Sequence, residues 1–156
     1  MTNLDEKIED KEVLLHDDSI TTLSKLFSGK DFLVVYFYPK DNTPGCTKEA
    51  CSFRDEYKVL NSKASVVGVS KDSVSSHIKF IEKFNLPFPL ISDSKLELTK
   101  LFGAYGKKPR GGTGLIRSTF ILDRDLKIRK IFGIGAHPKV NTQTHGKEVI
   151  QALEEM

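Results

Sequence analysis

Apolar residues in this chain gather into runs of two kinds. Phe32–Tyr38 (FLVVYFY) is almost continuously apolar and rich in valine and aromatics, the pattern of a central strand buried on both faces. Ser65–Ser70 (SVVGVS) predicts a second buried strand and Pro89–Ser92 a short third. Leu115–Asp123 (LIRSTFILD) predicts a fourth, paired with Lys127–Phe132 across the turn Asp123–Leu126. Elsewhere apolar residues recur every three or four positions, the mark of amphipathic helices. Ala50, Phe53, Tyr57 and Leu60 do so along Cys46–Asn61. Ile78, Ile81 and Phe84 do so along Val74–Asn85, and Val149, Ile150 and Leu153 along His145–Met156. Leu96–Tyr105 predicts a further short helix ended by Gly103 or Gly106, and Gly111–Gly114 a flexible loop. Ile8–Leu15 and Ser19–Leu26 predict short elements around the turn His16–Asp18, with Ser28–Asp31 a second turn.

Strands thus alternate with helices, and the chain closes on a hairpin and a helix. That order predicts an α/β three-layer sandwich, a central mixed β-sheet flanked by helices. With 156 residues, 38% of them hydrophobic, and no repeat or linker, residues 1–156 fit a single domain. No apolar run approaches the roughly 20 residues that span a bilayer. The polar start MTNLDEKIEDKEV has no apolar signal segment, so the expected location is cytoplasmic. A net charge of +3, with acids and bases interleaved, offers no basic arm for nucleic acid. The most basic stretch, Lys107–Arg110, reads as a solvated loop. Gly133–Pro138 (GIGAHP) lacks the third glycine and the strand-to-helix setting of a dinucleotide loop.

Chemistry enters with the two cysteines, Cys46 and Cys51, in the block PKDNTPGCTKEACSF between the first strand and the first helix. Two thiols make no disulfide scaffold, and no C-x-x-C or H-x-x-x-H pair completes a metal set. Redox or nucleophilic chemistry is left. Pro44 suits a first helical position and Thr43 an N-cap, which places Cys46 in the first turn. A free cysteine is only about 3% thiolate at pH 7, and the thiolate is the nucleophile. Making it mostly anionic requires about 3.4 kcal/mol of preferential stabilisation. A helix N-terminus supplies roughly 0.3–2 kcal/mol. An arginine about 4 Å away supplies on the order of 4 kcal/mol at an effective dielectric near 20.

Of the five arginines, Arg54 lies eight residues beyond Cys46, about 12 Å along a helix. Arg117 sits in the apolar fourth strand, where alternation groups it with Leu115, Thr119 and Ile121. A buried arginine needs a partner. A thiolate serves, and so does a carboxylate such as Glu49. On an ideal helix Cys46 and Cys51 face different ways with Cα atoms roughly 8–9 Å apart, beyond the ~7 Å limit for a disulfide. A bond between them therefore requires about a turn of helix to unwind. A core cysteine is the other reading of Cys51.

Pro39-x-x-x-Thr43-x-x-Cys46 resembles the P-x-x-x-T-x-x-C signature of peroxiredoxins. The longer FYPKDNTPGCTKEACSFRD is similar to the bacterioferritin comigratory protein or PrxQ branch, and RSTFILD to the strand carrying that family's arginine. The resemblance covers most of Phe32–Asp123, with a weaker echo in HGKEVIQAL. It implies a thioredoxin-like fold and thiol-dependent reduction of hydroperoxides without a cofactor. It further implies Cys46 as peroxidatic cysteine, Thr43 as hydroxyl donor near the thiolate, and Arg117 as the cation holding thiolate and peroxide. Pro39 is implied as a shield against water and Glu49 as the carboxylate orienting the arginine. Cys51 is implied as the resolving cysteine, recycled through an intramolecular disulfide by a dithiol such as thioredoxin, on a chain that works as a monomer. One departure stands out: Asn3–Val13 has no match to the family's G-x-x-A-P-x-F opening. Two other classes remain on the residues alone. A dithiol carrier would favour C-x-x-C. A copper-delivery module would need a distal histidine such as His137. His16, His77 and His145 read as surface residues.

Overall fold

The computed structural model describes residues 2–108 and 111–156. An N-terminal hairpin, β1 (Glu12–Leu14) and β2 (Ile20–Thr22), leads through a 3-10 turn at Ser24–Phe27 to β3 (Phe32–Phe37). There follow α1 (Pro44–Asp55), α2 (Tyr57–Leu60), β4 (Ala64–Ser70), α3 (Val74–Phe84), β5 (Leu90–Ser92) and α4 (Glu97–Leu101). The chain ends with β6 (Tyr105–Lys107), β7 (Thr113–Leu115), β8 (Ser118–Asp123), β9 (Ile128–Phe132) and α5 (His145–Glu154). The central sheet has the order β5-β4-β3-β8-β9. β3 runs parallel to β4 and antiparallel to β8, so the sheet is mixed.

β3 lies in the middle because its side chains can be buried on both faces. Leu33, Val35 and Phe37 join Phe120, Leu122, Leu98 and Phe102 in one core. Val34, Tyr36 and Tyr38 join Ile121, Phe53, Phe80, Val149 and Leu153 in the other. The first core is covered by the N-terminal hairpin, the 3-10 turn and α4; the second by α1, α2, α3 and α5. This is the expected three-layer sandwich, with a thioredoxin-like sheet. Phe53, fully buried, is the main apolar anchor of α1, worth about 1.5–3 kcal/mol. α1 is also pinned to α5. The Gly146 N–H donates to Ser52 Oγ at 2.8 Å, and a Cβ at Gly146 would lie 2.6 Å from the Ser52 carbonyl oxygen.

Register brings the chemistry together. Tyr36 faces Thr119 and Phe37 faces Ser118 across the β3–β8 ladder. The loop leaving the end of β3 therefore starts beside Ser118, which opens β8, and next to Arg117, the residue before it.

Several expectations change. The apolar stripe continuing past Asp55 is divided at Glu56 into α1 and α2. The helix expected over Leu96–Tyr105 stops at Leu101, after which Gly103 has φ +75°. Tyr105, expected to end a helix, pairs with Leu115, expected to open the fourth strand, in an antiparallel pair Tyr105–Lys107 and Thr113–Leu115 that takes in part of the expected loop, with Gly106 opposite Gly114; the fourth strand itself begins only at Ser118. Glycines leave no side-chain alternation to read, which hid this pair. Of the basic stretch Lys107–Arg110, Pro109 and Arg110 lie outside the described residues. The N-terminal segment, though lacking the family opening, buries Ile8 and bonds along Leu126–Ile128 through Ile8 N–H to the Leu126 carbonyl at 2.8 Å. His77 and His145 are fully buried, not on the surface, because each has a carboxylate within hydrogen-bond reach.

Candidate active site

The site is built where β3 gives way to α1. Thr43 is extended (φ −98°, ψ 157°) and Pro44 opens the helix. The Thr43 carbonyl accepts the Thr47 N–H at 2.8 Å. Its hydroxyl does not cap the helix; it donates to the Lys40 carbonyl at 2.9 Å, tightening the loop. Cys46 lies in the first turn of α1, where unpaired backbone N–H groups favour an anion. It is 1% exposed.

Arg117 comes from the opposite side of the site. It immediately precedes β8 rather than lying within it, and its face continues through Thr119 and Ile121 but not Leu115, which packs in the other core. Arg117 Nη2 donates to Cys46 Sγ at 3.3 Å, and Nη1 to Glu49 Oε1 at 2.6 Å. The two partners weighed from sequence are thus both engaged by one guanidinium. A fork of donors in one plane makes this possible. Burial works against the charge on Arg117, but Glu49 and Cys46 facing it outweigh that and hold it firmly protonated. Glu49 is fully buried, and among the described residues no donor meets its Oε2. Burial pushes its carboxyl up from 4.5 to about 7, with Arg117 pulling the other way.

Cys51 lies on the same helix and is partly exposed, so the core-cysteine reading does not hold. Burial raises its thiol above the ordinary value, Arg54 beside it working in the opposite direction. With both cysteines inside the unbroken helix α1, their sulfurs cannot bond without the local unwinding expected from the spacing. Pro39 is half-buried at the head of the loop. Arg54 turns away to the Phe84 carbonyl at 2.9 Å and to Asp55. The copper reading gains no support, since among the described residues no three His, Cys, Asp or Glu side chains gather as a metal set.

Two glycines belong to this site that sequence reasoning did not single out. A Cβ on Gly45 would lie 3.1 Å from Arg117 Nη2, so the missing side chain gives the guanidinium room to lie over the helix start. Gly133, with φ +90°, passes so close to the Arg117 carbonyl and Ser118 Cα that a Cβ would collide with both. The GIGAHP piece discounted as a nucleotide loop is thus a backstop for the arginine. Its conformation is closed by the Gly133 N–H donating to the Pro138 carbonyl at 2.7 Å. Behind Thr119 sits His145, with Nε2 2.8 Å from the Thr119 hydroxyl and Nδ1 2.7 Å from Glu148. Burial lowers the His145 imidazole below its ordinary value, against the pull of Glu148.

A thiol in the first turn of a helix, under an arginine, on a thioredoxin-like sheet defines a class of thiol-based oxidoreductases. The model of the AhpC/TSA family matches residues 4–131. The chain belongs to that family and, within it, to the peroxiredoxins of the Bcp/PrxQ type. Peroxiredoxin Bcp of Bacillus subtilis is 41% identical over 134 residues, covering 83% of this chain and 82% of the relative. The chloroplastic peroxiredoxin Q of Populus jackii is 39% identical over 145 residues, covering 90% of this chain and 62% of the relative. Among solved structures, a mutant of PrxQ from Xylella fastidiosa superposes with a TM-score of 0.88 at 32% identity, covering 99% of this chain and 97% of that one. Membership of this family supports a thiol-dependent peroxidase.

Proposed function

We propose that this chain reduces hydrogen peroxide and organic hydroperoxides through a Cys46 thiolate, and that Cys51 closes an intramolecular disulfide with it. The supporting observation is the Arg117 guanidinium, shared between Cys46 Sγ at 3.3 Å and Glu49 at 2.6 Å. The Cys46 sulfur attacks the terminal peroxide oxygen along the O–O axis. The S–O bond forms as the O–O bond breaks, leaving sulfenic acid and an alkoxide or hydroxide that takes up a proton. Arg117 and the backbone N–H groups of the first turn stabilise charge growing on the departing oxygen. The Thr43 hydroxyl keeps the loop closed through Lys40, and on this reading it turns towards the peroxide when substrate binds. Pro39 limits water at the loop's head. Glu49 fixes the plane of the guanidinium.

The α1 helix then loosens, and the Cys51 thiolate attacks the Cys46 sulfenic sulfur, releasing water and forming the disulfide. An external dithiol such as thioredoxin reduces this by exchange, itself becoming oxidised. Because the resolving thiol is local, the working unit is a monomer. Cytoplasm is the expected compartment; among the described residues no helix is long and apolar enough to cross a membrane.

The test is rapid-quench oxidation of the reduced protein by hydrogen peroxide, read by intact mass. Cys46→Ser abolishes the reaction. Cys51→Ser keeps the first oxidation but accumulates sulfenic acid and fails to recycle with thioredoxin. A wild-type rate equal to that of free cysteine rejects the peroxidase, and normal recycling of Cys51→Ser rejects the intramolecular disulfide.

A further inference from the structure

The loop from Pro39 to Thr43 is gripped from below by a polar cluster that the chemistry of Cys46 does not use. Its centre is Asp41, 7% exposed. Asp41 Oδ1 accepts the Tyr38 hydroxyl at 2.6 Å. Oδ2 accepts the Ser76 hydroxyl at 2.8 Å and faces His77 Nδ1 at 2.8 Å. The Asp41 N–H donates to Asp72 Oδ2 at 2.9 Å, which also accepts the Ser70 hydroxyl at 2.6 Å. The neighbouring Asn42 has φ +59°, and its side-chain oxygen accepts from Lys83 of α3 at 3.2 Å.

His77 is fully buried, and its second nitrogen, Nε2, lies 2.9 Å from the Ile91 carbonyl oxygen. A carbonyl only accepts, so Nε2 carries a proton. Two lone pairs do not face each other at 2.8 Å, so a second proton lies between Nδ1 and Asp41 Oδ2. The pair therefore holds one proton more than a neutral imidazole beside a carboxylate. Removing charges from water is costly even when they are paired, and α3 is already seated by Phe80, Ile81 and Phe84. What the pair adds is a fixed attachment for the loop, midway between Pro39 and Thr43 and one short step before Cys46.

We propose that His77, acting through Asp41, is a positioning residue for the reaction of Cys46. It holds the Pro39–Thr43 loop, and with it the first turn of α1, in the geometry that meets peroxide. The inference rests on the peroxidase reading above. The groups facing the pair are Tyr38 just beyond the end of β3, Asp72 from the turn after β4 and Ser76 from α3. β5 contributes only the Ile91 carbonyl. His16 is turned to the Leu90 backbone and Lys83 to Asn42, so neither supplies the pair with a charge partner.

Two substitutions separate the two ends of the imidazole. His77→Asn places an amide N–H near the position of Nδ1, towards Asp41. His77→Gln places it near Nε2, towards Ile91, and abandons Asp41. The assay is the second-order rate of Cys46 oxidation by hydrogen peroxide in reduced protein at neutral pH, with hydrogen exchange at the Asp41 and Thr47 amides measured in parallel. Loss of one charge-assisted hydrogen bond predicts a fall of roughly tenfold or more for His77→Gln, with faster exchange at Asp41. His77→Asn, which keeps the donor towards Asp41, recovers most of the rate. A wild-type rate for His77→Gln overturns the proposal. So does equal impairment of both variants, with no rescue by His77→Asn, which would mark a merely structural residue. If His77→Gln does not fold, Asp41→Asn takes its place with the same two readouts: it removes the carboxylate charge at the other end of the pair and is expected to slow oxidation and speed exchange. Amide exchange is independent of peroxide. Faster exchange in the variants alongside an unreactive wild-type Cys46 would therefore remove the peroxidase reading and the positioning role with it, whereas a reactive wild type with unchanged variants would remove only the positioning role.

Discussion

Glu49→Gln tests the electrostatics of the site without any enzymatic assay. Glu49 is sealed from solvent, with one oxygen on Arg117 and the other unpaired among the described residues. Its carboxyl is raised from 4.5 in the unfolded chain to about 7 in the fold. A raised carboxyl means that the native state holds a proton the unfolded state has released, so stability falls as pH climbs through this window. Below about 4.5 both states are protonated and nothing is lost; above about 7 the full penalty is present. Between pH 5 and pH 8 the wild type should lose about 2.5 kcal/mol that the glutamine variant does not. For a chain of this size that is roughly 5–10 °C in Tm. The assay is urea unfolding of both reduced proteins at pH 5 and pH 8. Using the difference between them removes His145, whose lowered imidazole acts in the opposite sense by costing stability as pH falls below 6.5. Parallel pH profiles for the two proteins would refute the reasoning. The same substitution leaves an amide oxygen for Arg117, so peroxidase activity at pH 7 should fall less than with Glu49→Ala.

Arg117→Ala removes a guanidinium 3.3 Å from Cys46 Sγ. An interaction between about 1 and 4 kcal/mol predicts a rate of oxidation by hydrogen peroxide lower by roughly fivefold to a thousandfold, read by rapid quench; an unchanged rate would remove Arg117 from the reaction. Gly133→Ala meets the Arg117 carbonyl and demands φ +90°. It should cost about 1–3 kcal/mol in urea unfolding and lower activity as well, and a variant with wild-type stability would show that the loop yields freely. Oxidation to the disulfide should abolish amide protection across Cys46–Cys51 while leaving Phe53 protected, as read by hydrogen exchange with mass spectrometry.

Much of this architecture was legible because burial writes itself into pattern. The unbroken apolar run Phe32–Tyr38 marked a central strand, and the spacing of Ala50 and Phe53 marked the face of a helix packed on it. The meeting of Cys46 with Arg117 was legible from motif, since 71 residues separate them and only the β3–β8 register joins them. What stayed hidden shares a cause. Gly45, Gly133 and the Gly106–Gly114 pair act by lacking a side chain, and an absent side chain carries no periodicity. His77 and His145 read as surface residues because a histidine's burial depends on a distant carboxylate or carbonyl that one-dimensional spacing does not bring near. The break at Glu56 was invisible because the apolar stripe runs straight across it.

The Ser52–Gly146 seam decides which sulfur travels. The half of α1 beyond Cys51 is fastened to the C-terminal helix by a hydrogen bond and by backbone contact too tight for any Cβ. The end that bears Cys46 is held by its arginine contact and the loop before it rather than by a neighbouring helix. On the disulfide route proposed above, the oxidised sulfur must leave its arginine to reach a nearly stationary partner. Each turnover then dismantles the peroxide pocket until a reductant arrives. A molecule awaiting reduction has no assembled centre for a second oxidant to attack, which limits irreversible damage when peroxide is in excess.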